Sequence, residues 1–267
     1  MITSVWYLSL ICLLACCLSM SVAWLWAHKI KNGGVVDIFW SYNFPLIGIL
    51  LYFLAPGDPL RKGMICGMAV IAGLRLGSHL ASRVLKHLHE EEPRYAALRK
   101  EWGKDAEYKM FRFFIFQGFT NVFLAIPFFI SVVNPDPYLS VLEYAGLGIW
   151  LLSVIGEGIA DYQLSVFKKD HANEGKVCDR GLWHYSRHPN YFFQWMMWMG
   201  YFIFAMGSPY GVLAVVSPAI ILYLLLNVTG IPATEEQSLR SKGEAFIKYQ
   251  RTTSAFIPWF KKNKRSQ

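Results

Sequence analysis

Between residues 181 and 192 the chain reads GLWHYSRHPNYF. Arg187, His188 and Asn190 stand almost side by side, flanked by Trp183, Tyr185, Tyr191 and Phe192. Pro189 disfavours helix at His188 and suits a helix start, and Asn190 can cap the helix that follows. The first turn of such a helix offers free backbone N–H groups and a positive dipole end, which suit a phosphate. Arg187 adds a fork-shaped donor with the same preference, and the aromatic rings can stack on a planar group. An interfacial aromatic belt is the plainer alternative, but a belt alone does not need Arg-His-Pro-Asn.

Upstream, the stretch VIGEGIADYQLSVFKKD places Glu157, Asp161 and Lys168 at i, i+4 and i+11, on one helical face. An acid inside a membrane helix costs roughly 2.5–3.5 kcal/mol at the centre, so such residues face a cavity or a partner. The alternative is a helix that has already left the bilayer. Downstream, IPATEEQSLRSKGEAFIKYQRTTSAFIPWF carries Glu235, Glu236, Arg240, Tyr249 and Arg251 on an expected amphipathic helix, where a solvated face is an equal reading. Nearer the N-terminus stand Asp37, Arg75, His79 and Arg83, with Asp37 and Glu157 as candidate partners for Arg75. Gln117 and Asn121 lie one turn apart and can line a pocket. No metal is expected: the seven histidines include no adjacent pair, and Pro189 spoils a helical His-x-x-x-His at His184 and His188. The five cysteines lack metal-ligand spacing and read as small buried hydrophobes.

The chain must position these groups with apolar helices. Of its 267 residues, 54% are hydrophobic and 16% charged, against about a quarter charged in soluble proteins. The apolar residues gather in seven segments, near 4–27, 35–55, 63–82, 113–133, 139–160, 192–208 and 210–230, several of them about as long as a bilayer-crossing helix. The first lacks the basic flank of a signal peptide and reads as a retained helix. The net charge of +8 does not point to nucleic acid, because the basic residues fall between the apolar segments. Of 26 Lys and Arg, 23 fall in alternate loops, two in the others, and Arg75 inside a segment. The expectation is an all-α integral membrane protein of one domain with seven transmembrane helices, the N-terminus outside and the C-terminus cytoplasmic. The 181–192 loop then faces the cytoplasm.

GLWHYSRHPNYF, the upstream ADYQLSVFK and the downstream EEQSLRSKGEAFIKYQRTTSAFIP resemble the steroid 5-alpha reductase family, in particular its bacterial branch, over most of the chain and most closely over residues 157–258. That resemblance implies an inner-membrane oxidoreductase whose C-terminal half, from about residue 139, binds NADPH from the cytosolic side, with residues 1–133 on the substrate side. Asp161, Lys168 and Asn190 match cofactor contacts of the family; Arg187, His188 and Tyr191 lie beside them. Glu235, Glu236, Arg240 and Tyr249 correspond, with a gap in register, to a second cofactor-lining helix. The chain departs from the steroid enzymes in its second span, VVDIFWSYNFP, which lacks their adjacent Gln-Glu, and at Leu80, which replaces a Tyr. Asp37, His79 and Tyr162 are the candidates for activating a substrate carbonyl. The implied substrate is a lipophilic enone entering from the bilayer. Related membrane methyltransferases share the Arg-His-Pro-Asn block, so S-adenosylmethionine-dependent methylation of a lipid is the second reading, and a non-catalytic lipid-binding protein or transporter the third.

Overall fold

The structure, a computed structural model, describes residues 2–261; Lys262, Lys264 and Arg265 of the basic tail lie outside the described residues. Its α-helices are α1 (Ile2–Ile30), α2 (Val35–Leu54), α3 (Pro59–Lys86), α4 (Pro93–Trp102), α5 (Ala106–Leu124), α6 (Ile126–Val132), α7 (Val141–Lys169), α8 (Pro189–Ala205), α9 (Val216–Asn227), α10 (Ile231–Lys242) and α11 (Glu244–Thr252). The only β-pairing among the described residues is an isolated parallel bridge between Ser186 and Ser254.

Five helical stretches are long and apolar enough to cross a membrane: Ser4–Ile30, Val35–Leu54, Pro59–Lys86, Val141–Lys169 and Gly211–Lys242. Pro93–Leu124 and Ile126–Val132, bent by 44°, make a sixth if they are one span. Where the sequence suggested one straight helix over 113–133, Pro127 lies in the first turn of a new helix, because a residue without a backbone N–H fits there and not in a helix interior. The sixth expected segment is α8, 17 residues long and not among these stretches. α1 carries two faces. Leu8, Cys12, Cys16, Met20, Ala23 and Ala27 are buried, while Trp6, Leu10, Leu14, Leu18, Val22 and Leu25 are exposed at the same period. An uncovered apolar stripe of this length is what a bilayer would cover.

The chain divides into two compact units, Met1–Glu143 with Phe204–Ala214, and Tyr144–Ile203 with Val215–Gln267. In the first, α2 and α3 approach closely: a Cβ on Gly73 would collide with the Pro45 ring, the small-residue contact that draws membrane helices together. α2 and α5 are tied by an amide pair, Asn43 Nδ2 donating to Asn121 Oδ1 (2.9 Å), while Asn121 Nδ2 donates to Trp40 O (2.9 Å). Asn121, expected to line a pocket, is a fully buried tie instead. Asp58 caps α3 by accepting from Arg61 N (2.9 Å). Arg61, counted above as a loop cation, is 1% exposed and forms a buried ion pair with Glu143, itself 0% exposed. It also donates to Asp136 O and to Tyr138 O (2.8 Å), and Ser140 N donates to Glu143 Oε2 (2.7 Å).

In the second unit the stretch after α9 is two helices, not one. Gly243 has φ +52, a conformation suited to glycine that ends α10. The chain then restarts as α11, so the residues of the expected amphipathic helix fall on two short elements.

Candidate functional site

The candidate cofactor residues all lie in the second unit, where α7, the 181–188 loop, α8 and the C-terminal helices supply them. The loop is fastened to α7 over one helical turn. Trp183 is buried and donates from Nε1 to Ala160 O (2.9 Å), and Leu182 N donates to Gln163 Oε1 (2.9 Å). It is fastened on its other side to the chain after α11. Arg187 N donates to Ser254 O (2.8 Å), and Ser186 Oγ donates to Phe256 O (2.8 Å). The Tyr249 hydroxyl donates to Trp183 O and to Ser186 O (3.2 Å). Burial pushes that phenol well above its ordinary pKa, which keeps it a donor.

Arg187 and Glu235 form the centre of this arrangement. Arg187 Nε donates to Glu235 Oε1 (2.7 Å), and Nη1 donates to Gln250 O (3.0 Å) and Thr253 O (2.6 Å). Glu235 also meets His188 Nε2 (3.1 Å) and accepts from Gln250 Nε2 (2.7 Å). Arg187 and Glu235 are 11% and 14% exposed. The guanidinium expected to reach for a phosphate therefore holds the loop to α10 and the C-terminal strand-like segment. The His188 ring stacks on Tyr191 at 5.3 Å between centroids and 5° between planes.

The start of α8 differs from expectation in one detail. His188 O accepts the first helical bond, from Phe192 N (3.1 Å), so His188 occupies the cap position and Asn190 sits in the first turn. Pro189 sets this register, since it lacks an N–H and fits the first helical position. From there Asn190 Oδ1 accepts from Tyr191 N (3.0 Å), while its Nδ2 donates to Asp161 Oδ1 on α7 (3.2 Å). Tyr191 Oη exchanges a hydrogen bond with Thr234 Oγ1 (3.0 Å). Glu157, one turn before Asp161, is 3% exposed, which removes the solvated-charge alternative for it. Lys168 is exposed at the end of α7. Glu236 and Arg240 pair with each other across a helical turn (2.6 Å) on an exposed face, the solvated arrangement weighed above.

The carbonyl-activating candidates are divided between the two units, Asp37 and His79 in the first and Tyr162 in the second. Asp37 pairs with Arg94, accepts from Tyr95 Oη (2.9 Å) and lies 3.8 Å from Arg83, while Glu92 bridges Arg94 (3.0 Å) and Arg83 (3.2 Å). These contacts tie α2 to the basic loop and α4, and they occupy the carboxylate as an acceptor. His79 is exposed on α3, one turn before Arg83. Tyr162 on α7 is 70% exposed. Gln117 accepts from Thr120 Oγ1 at 3.3 Å within its own helix. Ser186, Thr234 and Gln250 take part in the second-unit network and had no signal in the sequence, since isolated small polar residues carry no periodicity.

Fold and site together define an all-helical protein with membrane-length apolar helices and a polar cluster gathered at the start of a short helix. Residues 23–253 match the family described as "Protein of unknown function (DUF1295)", and the chain belongs to that family. No curated protein matches the chain, and no solved structure does.

Proposed function

We propose that the protein is a membrane-embedded, NADPH-dependent reductase of an activated carbon–carbon double bond in a lipophilic, steroid- or isoprenoid-like enone. The observation that carries the reading is the Asp161–Asn190 hydrogen bond (3.2 Å) between α7 and the first turn of α8. Both residues match cofactor contacts of the steroid 5-alpha reductase family. Lys168 stands two turns beyond Asp161 on the same face, about 10 Å along the axis. An acid–amide pair of this kind can hold the hydroxyl and amide groups of a nicotinamide riboside, with the lysine nearer the phosphates. In this reading α8 is a further span, the seven spans run from an outside N-terminus to a cytoplasmic C-terminus, and the nucleotide arrives from the cytoplasm of a bacterial inner membrane.

NADPH supplies the hydride when bound. This chain's residues must orient it against the substrate's β-carbon, exclude water, and stabilise charge on the carbonyl oxygen. Asp37, His79 and Tyr162 are the candidates for that last task. Asp37 can donate only as the neutral acid released from Arg94, so His79 and Tyr162 are the simpler donors.

Asp161→Asn and Asn190→Ala are each expected to weaken NADPH binding about tenfold or more, a loss of about 1.4 kcal/mol per factor of ten, while melting stays cooperative. Unchanged affinity in both folded variants, measured by titration, sinks this map of the cofactor.

A further inference from the structure

The segment after α11 presents an apolar surface that the fold does not use. Its backbone is clasped to the 181–188 loop at three points: Arg187 N donates to Ser254 O (2.8 Å), Ser186 Oγ to Phe256 O (2.8 Å) and Trp259 N to Tyr185 O (2.9 Å). Phe256 turns inward, 8% exposed, against Phe192 and Trp195 at 5.7 and 5.9 Å between ring centroids. Its neighbours turn outward. Ile257, Trp259 and Phe260 are 57%, 68% and 76% exposed, and Tyr185, with its ring 6.0 Å from that of Phe260, is 40% exposed. None of the four belongs to a helix, so the lipid-facing side of a span does not account for them. A contiguous apolar patch held outward by a hydrogen-bonded backbone marks a surface that something covers.

Position and charge identify the cover. The loop is bonded through Trp183 Nε1 to Ala160 O, towards the end of α7, and α7 is one of the helices long and apolar enough to cross a membrane. The patch therefore stands at one end of that helix, the level at which Trp and Tyr gather in membrane proteins. From Ala245 onward the sequence carries Lys248, Arg251, Lys261, Lys262, Lys264 and Arg265 and no acid. Lys248 and Arg251 are exposed and form no ion pair among the described residues. Lys261 pairs with Asp179, which braces the segment beside the loop. Aromatic side chains next to a run of cations fit a bilayer surface rich in phosphates, where apolar burial and charge attraction act together. A second copy of the chain would bring the same positive charge to the contact and repel.

We propose that this patch docks on an anionic phospholipid leaflet of the surrounding membrane, with Trp259 and Phe260 at the boundary between headgroups and acyl chains. The segment it anchors also supplies Gln250 O and Thr253 O to Arg187, so contact with the lipid tightens the clasp around the Arg187–Glu235 pair. This surface is independent of what the residues near Asp161 bind.

The full chain is placed, one copy per nanodisc, in phosphatidylcholine alone or in phosphatidylcholine with phosphatidylglycerol, and hydrogen exchange is followed over residues 253–261. The expected result is exchange slowed about tenfold by phosphatidylglycerol in this segment and unchanged in α2. Two variants should each lose most of that slowing: Trp259→Ser with Phe260→Ser, and Lys262→Gln with Lys264→Gln and Arg265→Gln. The side chains of Trp259 and Phe260 make none of the clasp's hydrogen bonds, so the fold survives their loss, and exchange in α2 checks this for both variants. Native mass spectrometry should show phosphatidylglycerol retained on the wild type in preference to phosphatidylcholine, and not on the variants. Equal exchange in the two lipids, or slowing that survives both sets of substitutions, overturns the inference. Slowing that appears only when two copies share a disc assigns the patch to self-association and overturns it as well.

Discussion

Replacing Arg61 with Met lowers the stability of the protein by about 3–5 kcal/mol, the loss expected when one partner of a buried ion pair is removed. Glu143 is left 0% exposed with its charge uncompensated, and Asp136 O and Tyr138 O lose their donor. The pair joins the first turn of α3 to the first turn of α7, two places separated by 82 residues, so its loss should loosen that end of the first unit. The double variant Arg61→Met, Glu143→Leu is expected to recover most of the loss, because no unpaired charge remains. Denaturant titration in detergent of the wild type, both single variants and the double variant measures the coupling. A single variant within about 1 kcal/mol of wild type contradicts the assignment.

Arg187→Ala is expected to cost about 3 kcal/mol and to act locally. The substitution removes a charge-assisted bond to Glu235 and the donors for Gln250 O and Thr253 O, bonds worth about 1.5–3 kcal/mol when charged. The segment from α11 to Phe256 is then held by Tyr249, by the Ser186 bonds, by the backbone bond from residue 187 to Ser254 O and by Gln250 with Glu235. Hydrogen exchange should rise in residues 244–256 and stay unchanged in α1–α3. Arg187→Lys keeps the charge but not the fork, and should fall between the two. Uniform protection in Arg187→Ala would show that this network does not hold the C-terminal segment.

The helices were legible because apolar run length is a property of the chain alone, and the α1 segment expected at 4–27 is found as Ile2–Ile30. Their interruptions were less so. Pro127 sits inside an unbroken apolar run, and a hydrophobicity count does not see that its missing N–H starts a new helix. Gly243 hid in a polar stretch in the same way. The clustering of Arg187, His188 and Asn190 was visible as composition, but its meaning was only partly so. Arg187 looked like a phosphate ligand because the sequence does not reveal that Glu235, 48 residues away, reaches it. Asp37 with Arg94, and Arg61 with Glu143, escaped for the same reason: ion pairs between distant segments leave no spacing to read. Asp161 and Asn190 were singled out by helical spacing and capping, their cofactor role came from resemblance, and their contact is a feature of the structure.

The central claim is that the cluster around Asp161 and Asn190 receives a nicotinamide dinucleotide. The most direct test is nucleotide binding to detergent-purified full-length protein, comparing NADPH, NADH and S-adenosylmethionine by thermal shift and titration. The account predicts stabilisation by NADPH that is lost in Asp161→Asn, with no response to S-adenosylmethionine. Stabilisation by S-adenosylmethionine alone contradicts it and places the protein's chemistry in methyl transfer.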